Sequence, residues 1–246
     1  MSHALRRTPV TDTTLFEVAS LSKPVFAYAV LQLVDRGQLV LDAPLVDYLR
    51  PEYLDDGAAA RACLDAITVR DVLRHSTGLP DWRKDPARER LAPAVAPGTR
   101  IDYSGEAFLW LQRVVETITG ESLDQTMRRL LFVPAGMGDS SYAWSPELAA
   151  RSVYGHRAPD AADATTGQGA GMPPQMLREQ WSAAQVVAER SGTPLSAWRY
   201  ADAARALPAV QAIAPSGLVG YGRATSSPTR RPACAARCRT THASWR

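Results

Sequence analysis

The sequence predicts an α+β fold of which the helical part is mainly represented. Two observations carry the helices: several segments of helical apolar periodicity have legible ends, and almost no convincing strand is present. The sheet, an antiparallel one expected to be incomplete, enters only through motifs that follow one another between residues 14 and 145. With 246 residues, 46% hydrophobic and 22% charged, the composition is that of an ordinary globular chain long enough for one main core. The longest apolar stretch, 25–34, is interrupted by Gln32 and stops at Asp35, short of the about 20 residues needed to span a bilayer. No membrane span is therefore expected. Residues 1–10 carry Arg6 and Arg7 without an apolar run behind them, so no secretory signal is read. The chain as written is expected in the cytoplasm, and in the periplasm or outside the cell if its N-terminus is truncated.

The elements follow in order. Thr14 to Ala19 reads as a short extended segment entering a helix at Ser20, with Pro24 in the first turn and Gly37 as the stop. Between them Val25, Phe26, Ala29, Val30, Leu33 and Val34 recur at helical spacing and should face a core. Thr68 with Asp71 three residues on predicts an N-cap and a second helix stopped near Gly78. A third runs from about Glu106 to Thr119 and ends at Gly120, and Ser122 caps a fourth from Leu123 to about Phe132. Ala158 to Pro174 reads as a long loop, and Trp181 to Arg190 as a further helix. Residues 222–246 hold six arginines, no acid and no periodicity, leaving 22 basic against 25 acidic residues before them. We read 1–215 as one domain and 216–246 as a basic, disordered tail.

Only Lys23 and Lys84 are lysines among the 28 basic residues. One of them stands in Ser20-Leu21-Ser22-Lys23, where a hydroxyl and an amine three residues apart share one helical face. Acyl transfer by serine needs such a pair, since the hydroxyl is a weak nucleophile until a base takes its proton, and an amine in an apolar setting can be that base. A helix N-terminus adds N–H groups and partial positive charge, which favour an oxyanion. The competing reading of the same spacing is a surface lysine on an ordinary capped helix.

Four stretches carry a resemblance. They are Leu15 to Lys23 with its continuation Leu39 to Leu45; Ile67 to Pro80, containing His75-Ser76-Thr77-Gly78-Leu79; Pro97 to Gly105, containing Tyr103-Ser104-Gly105; and Phe132 to Gly138. In this order they resemble the serine β-lactamases of class C and the related penicillin-binding proteins, D-Ala-D-Ala peptidases and esterases. The resemblance implies a β-lactamase/transpeptidase-like fold in which Ser20 forms an acyl-enzyme, Lys23 activates it and Tyr103 shuttles a proton. It implies a small-molecule ester, amide or lactam as substrate and no cofactor. Gly105 stands where β-lactam-hydrolysing members carry Asn, which favours an esterase-like or peptidase-like activity. His75 reads as a structural histidine at a helix end.

The resemblance also implies a helix and strands before the nucleophile segment, and later strands bearing a Lys-Thr-Gly or His-x-Gly element. Neither is found, so the chain reads as truncated at both ends. One of the absent strands would supply the second donor of an oxyanion hole, a loss of about 2.7–4 kcal/mol of transition-state stabilisation. The apolar face of the first helix would then be partly exposed. A catalytically inactive remnant or binding protein is accordingly the alternative to an active hydrolase. Nucleic-acid binding is not expected, because the basic tail lacks interleaved aromatics and any binding fold. No metal is expected, since His3, His75, His156 and His242 lack ligand spacing. Oligomeric state is not legible.

Overall fold

The computed structural model describes residues 9–16, 18–84, 88–152 and 175–214. The loop expected at 158–174 and the tail at 216–246 lie outside the described residues. The chain divides into two compact units, one of Met1–Ser22 with Ser122–Tyr221, the other of Lys23–Glu121 with Gly222–Arg246. The division falls inside the Ser20 to Lys23 motif.

Among the described residues, the second of these units holds the α-helices α1 (Ser22–Asp35, of which only Ser22 falls in the other unit), α2 (Ala58–Leu64), α3 (Val69–Leu73) and α4 (Gly105–Thr119). Pro24 is the third residue of α1, where its missing N–H has no intrahelical partner to lose. Phe26, Ala29, Val30 and Leu33 are buried, so the face expected to be partly exposed is covered, while Leu21, Tyr28 and Leu31 on other sides are open. Gly37 and Gly120 take the left-handed conformation that ends α1 and α4, as their place in the sequence predicts. The core of this unit is built on α4, which buries Ala107, Phe108, Trp110, Leu111, Val114 and Val115. The Trp110 indole N–H donates to the Leu49 carbonyl at 2.9 Å.

Thr68 and Asp71 form the reciprocal N-cap predicted for α3, but the helix ends at Leu73 rather than near Gly78. His75 is already left-handed, with φ of 57°, and no helix continues through such a residue. Asp71 then serves the chain beyond the helix as well: its carboxylate accepts from the Ser76 hydroxyl at 2.8 Å and from Arg74 at 3.1 Å. A second buried carboxylate, Glu106, accepts both the backbone N–H and the Nε of Arg83, at 3.0 and 2.9 Å. The two side chains are 5% and 2% exposed, and the guanidinium lies 4.3 Å from the centre of the Tyr53 ring.

The other unit holds α5 (Leu123–Met127), α6 (Pro146–Arg151), α7 (Gln175–Ser191) and α8 (Tyr200–Ile213). Ser122 and Gln125 make the expected cap of α5, after which a wider π-type turn over Arg128–Phe132 completes the segment read as one helix. Helix α7 includes the segment predicted at 181–190 and begins earlier. It packs on α8 through Ala184, Ala188, Val210 and Ala214, with Leu195 between them in sequence. The Ser122 hydroxyl also donates to the Ser196 carbonyl at 2.5 Å.

Among the described residues no strand of a sheet forms. There are isolated bridges only, parallel between Leu15 and Ser152, antiparallel between Pro44 and Thr68, and parallel between Leu54 and Leu91. The described residues thus show the helical part that was expected and not the sheet. No helix among them is long and apolar enough to cross a membrane.

The Arg83–Glu106 pair yields a first prediction. Replacing Glu106 by Ala leaves a buried guanidinium without its carboxylate and should lower the unfolding free energy by about 3–5 kcal/mol. Urea denaturation followed by tryptophan fluorescence measures it, and Arg83→Met on top of Glu106→Leu should recover much of the loss.

Candidate active site

The segment before α1 is a single 3-10 turn, Ala19–Leu21, with Ser20 at its centre and exposed. Ser20 therefore precedes the α-helix by one turn, where the sequence placed it at the helix start. Ala19 is held at φ of 42°, a left-handed conformation that costs a side-chain-bearing residue about 1–3 kcal/mol and is often found beside reacting groups. The turn is held from its C-terminal side. The Ser22 hydroxyl and the Ser22 N–H both donate to the Ala19 carbonyl, and the N–H of Leu21 donates to Val18 at 2.9 Å.

Within the same unit a residue far along the chain reaches this turn. The Tyr142 hydroxyl donates to the Ser22 carbonyl at 2.7 Å, and its ring stacks on Phe132 with centroids 5.9 Å apart. Burial pushes the Tyr142 phenol well above its ordinary range, so it stays protonated and a donor. Asp124, 3% exposed, places it: one carboxylate oxygen accepts from the Tyr142 N–H and the Ser141 hydroxyl, both at 2.7 Å, and the other accepts from Arg128 at 2.8 Å. No local pattern marks Tyr142, which is 120 residues from its partner.

In the other unit Lys23 is half-buried in the first turn of α1. Its Nζ lies 4.8 Å from the centre of the Tyr103 ring and 5.8 Å from that of Phe108, within cation–π range of both. Tyr103, 46% exposed, is the last residue before the cap of α4. His75 completes the cluster, stacked on Tyr103 at 4.6 Å and tilted against Phe108 at 5.0 Å. Its Nδ1 accepts the Ser104 backbone N–H at 3.2 Å, which leaves the proton of the neutral ring on Nε2. Burial lowers the His75 pKa, the positive charge of Lys23 lowers it further, and Asp81 opposes both. His75 is thus more than the end of a helix: it sits against both Tyr103 and Phe108, the two rings that Lys23 faces.

The second and third motifs are bound to each other here. Asp102 N–H donates to the His75 carbonyl at 2.8 Å and Gly98 N–H to that of Ser76 at 2.7 Å. The start of α4 is clasped by residues 80–83. The Ser104 hydroxyl donates to the Pro80 carbonyl at 2.7 Å, Gly105 N–H to the Asp81 carboxylate at 3.0 Å, and Glu106 N–H to the Asp81 carbonyl at 2.9 Å. Among the described residues no group of histidine, cysteine or carboxylate side chains could hold a metal ion.

Two predictions come from this geometry. Tyr142→Phe keeps the stacking on Phe132 and loses the bond to Ser22, and should cost about 1 kcal/mol of stability in thermal unfolding. For His75 the sign is set by a folded-state pKa below the ordinary 6.5. The unfolded chain then binds the proton more readily, so the contribution to stability is present above 6.5 and is lost as pH falls through the lower folded-state value. His75→Asn retains an acceptor for Ser104 without titrating, and should flatten the fall in melting temperature below pH 6.5 relative to the parent.

A family model described as Beta-lactamase matches residues 1–224. Penicillin-binding protein 4 of Amycolatopsis lactamdurans is 32% identical over 160 residues, covering 60% of this chain and 41% of that one. Esterase EstB of Burkholderia gladioli is 34% identical over 163 residues, covering 54% and 40%. The crystal structure of a class C beta lactamase matches with a TM-score of 0.51 and 28% identity, covering 61% of this chain and 42% of that one. The chain spans about two fifths of the length of each of these relatives. With the family model matching residues 1–224, well over half of its length, the chain belongs to the beta-lactamase family.

Proposed function

We propose that this protein is a serine hydrolase that acts on an ester, amide or lactam through an acyl-enzyme on Ser20. The observation that carries the proposal is the position of the Lys23 amine, on the turn that follows Ser20 and 4.8 Å from the centre of the Tyr103 ring. The likeness to proteins named as a penicillin-binding protein and an esterase supports the reaction class. In this reading the domain is 1–215 and the basic segment 216–246 takes no part.

The Ser20 hydroxyl attacks the acyl carbon as its proton passes to the Lys23 amine. The carbonyl becomes a tetrahedral oxyanion, which the partial positive charge at the start of α1 would favour. As the intermediate collapses, the bond to the leaving group breaks, and Tyr103 delivers the proton to the departing alcohol or amine, drawing on Lys23. Water then attacks the Ser20 ester by the same route in reverse, releasing a carboxylic acid and restoring the hydroxyl.

His75 in this scheme is a positioning residue. It stacks on Tyr103 and holds the Ser104 N–H, fixing the ring that faces Lys23. Its depressed pKa keeps it neutral near pH 7, so it adds no positive charge beside the amine.

Incubation with a fluorophosphonate and with a fluorescent penicillin, followed by intact-mass spectrometry, tests the proposal. A single adduct is expected, absent in Ser20→Ala and slowed by about 10²–10⁴-fold in Lys23→Ala. A folded protein that takes no adduct and turns over neither nitrocefin nor p-nitrophenyl esters would instead be a non-catalytic binding protein.

A further inference from the structure

Ala19 and Ser20 are neighbours in a turn whose backbone is held against its own preference. At φ of 42° an alanine gains by rotating to the right-handed or extended regions, and that rotation would turn Ser20 away from its present direction relative to the chain before it. Ala19 is kept in place through its carbonyl, which accepts both the Ser22 N–H and the Ser22 hydroxyl. The position of Ser22 therefore sets that of Ser20.

Ser22 is in turn tied from outside the turn. The Tyr142 hydroxyl donates to its carbonyl at 2.7 Å, from 120 positions along the chain. Tyr142 is fixed at its backbone and at its ring: Asp124, 3% exposed, accepts the backbone N–H at 2.7 Å, and the ring stacks on Phe132. Burial pushes the phenol pKa up, so the hydroxyl remains a donor at neutral and mildly alkaline pH. All of these residues belong to one compact unit, that of Met1–Ser22 and Ser122–Tyr221. A continuous series of bonds thus runs from a buried carboxylate through Tyr142 and Ser22 to Ala19, and the next residue is Ser20.

We propose that Tyr142 is a positioning residue for the nucleophile: its bond to the Ser22 carbonyl keeps the Ala19–Leu21 turn in the strained conformation that aims the Ser20 hydroxyl. This role rests on the hydrolase reading of Ser20. Tyr142 acts on the backbone, so its loss lowers the rate of acylation and leaves substrate binding nearly unchanged. A nucleophile displaced by a fraction of an ångström loses rate steeply, while the contacts that hold the rest of the substrate persist.

The test is the rate at which a fluorophosphonate labels Ser20, together with kcat and KM for p-nitrophenyl acetate, measured on the full chain well below its melting temperature. Tyr142→Phe keeps the ring and removes the hydroxyl; it should slow labelling and lower kcat by about five- to tenfold, with KM within about twofold of the parent. Adding Ala19→Gly, which takes the left-handed conformation without penalty, should restore most of the labelling rate to Tyr142→Phe. Ser22→Ala removes one of the two bonds to the Ala19 carbonyl and should slow labelling likewise, which decides the question if Tyr142→Phe does not fold. A purely structural Tyr142 would shift the melting temperature alone. Unchanged labelling in whichever of these variants folds, or a loss in Tyr142→Phe that Ala19→Gly does not recover, overturns the positioning role and leaves the hydrolase reading standing. No adduct on Ser20 of the parent overturns both.

Discussion

A helix begins with backbone N–H groups that its own hydrogen bonds do not satisfy, and at α4 this requirement organises the whole neighbourhood. Ser104 takes one through its hydroxyl, Asp81 takes two through its carboxylate and carbonyl, and His75 takes the N–H of the cap residue itself. Satisfying them draws residues 75–83 against 102–106, with bonded side chains 24 and 29 positions from their partners. Tyr103 is left at the edge of this junction, with its ring against His75 and the Lys23 amine facing it. The buried Arg83–Glu106 pair closes the junction from beneath. Such a pair adds little net stability over hydrocarbon, but a broken one is costly, so it disfavours other arrangements of the same segments.

The turn before α1 obeys a different constraint. Ala19 is left-handed without being glycine, so the backbone beside Ser20 stores strain that other contacts must offset. Ser22 supplies two of them and the buried hydroxyl of Tyr142 a third, with Asp124 fixing the chain on which Tyr142 stands. Both clusters share a plan: a side-chain acceptor takes a backbone N–H beside an aromatic ring, Asp124 at Tyr142 and His75 at the residue after Tyr103.

Seen together, the clusters explain why the family's motifs are spaced as they are in this chain. The stretch at Ile67–Pro80 contains no proposed reacting group, yet it supplies His75 and the Asp71 network that holds the loop after α3. The stretch at Phe132–Gly138 likewise does no chemistry in the proposal. It begins with the ring on which Tyr142 stacks.

Much of the helical half was legible without coordinates. The caps at Thr68 and Ser122, the left-handed stops at Gly37 and Gly120 and the buried stripes of α1 and α4 all arise from interactions three or four residues apart, which a sequence displays directly. Ser20 and Lys23 were nameable as candidates from their three-residue spacing, and Tyr103 from the family resemblance. Helices α2, α6 and α8 were not foreseen, being short, weakly amphipathic or interrupted by Pro208, and the end of α3 was misplaced because nothing in the letters marks His75 as left-handed. Only tertiary structure decided that His75 stacks on Tyr103, that Tyr142 holds Ser22 and that Trp82 fills the space at Gly105. Those contacts join residues 23 to 120 positions apart, where pairing is settled by which buried donor finds an acceptor once the core has closed, and no local rule encodes that choice.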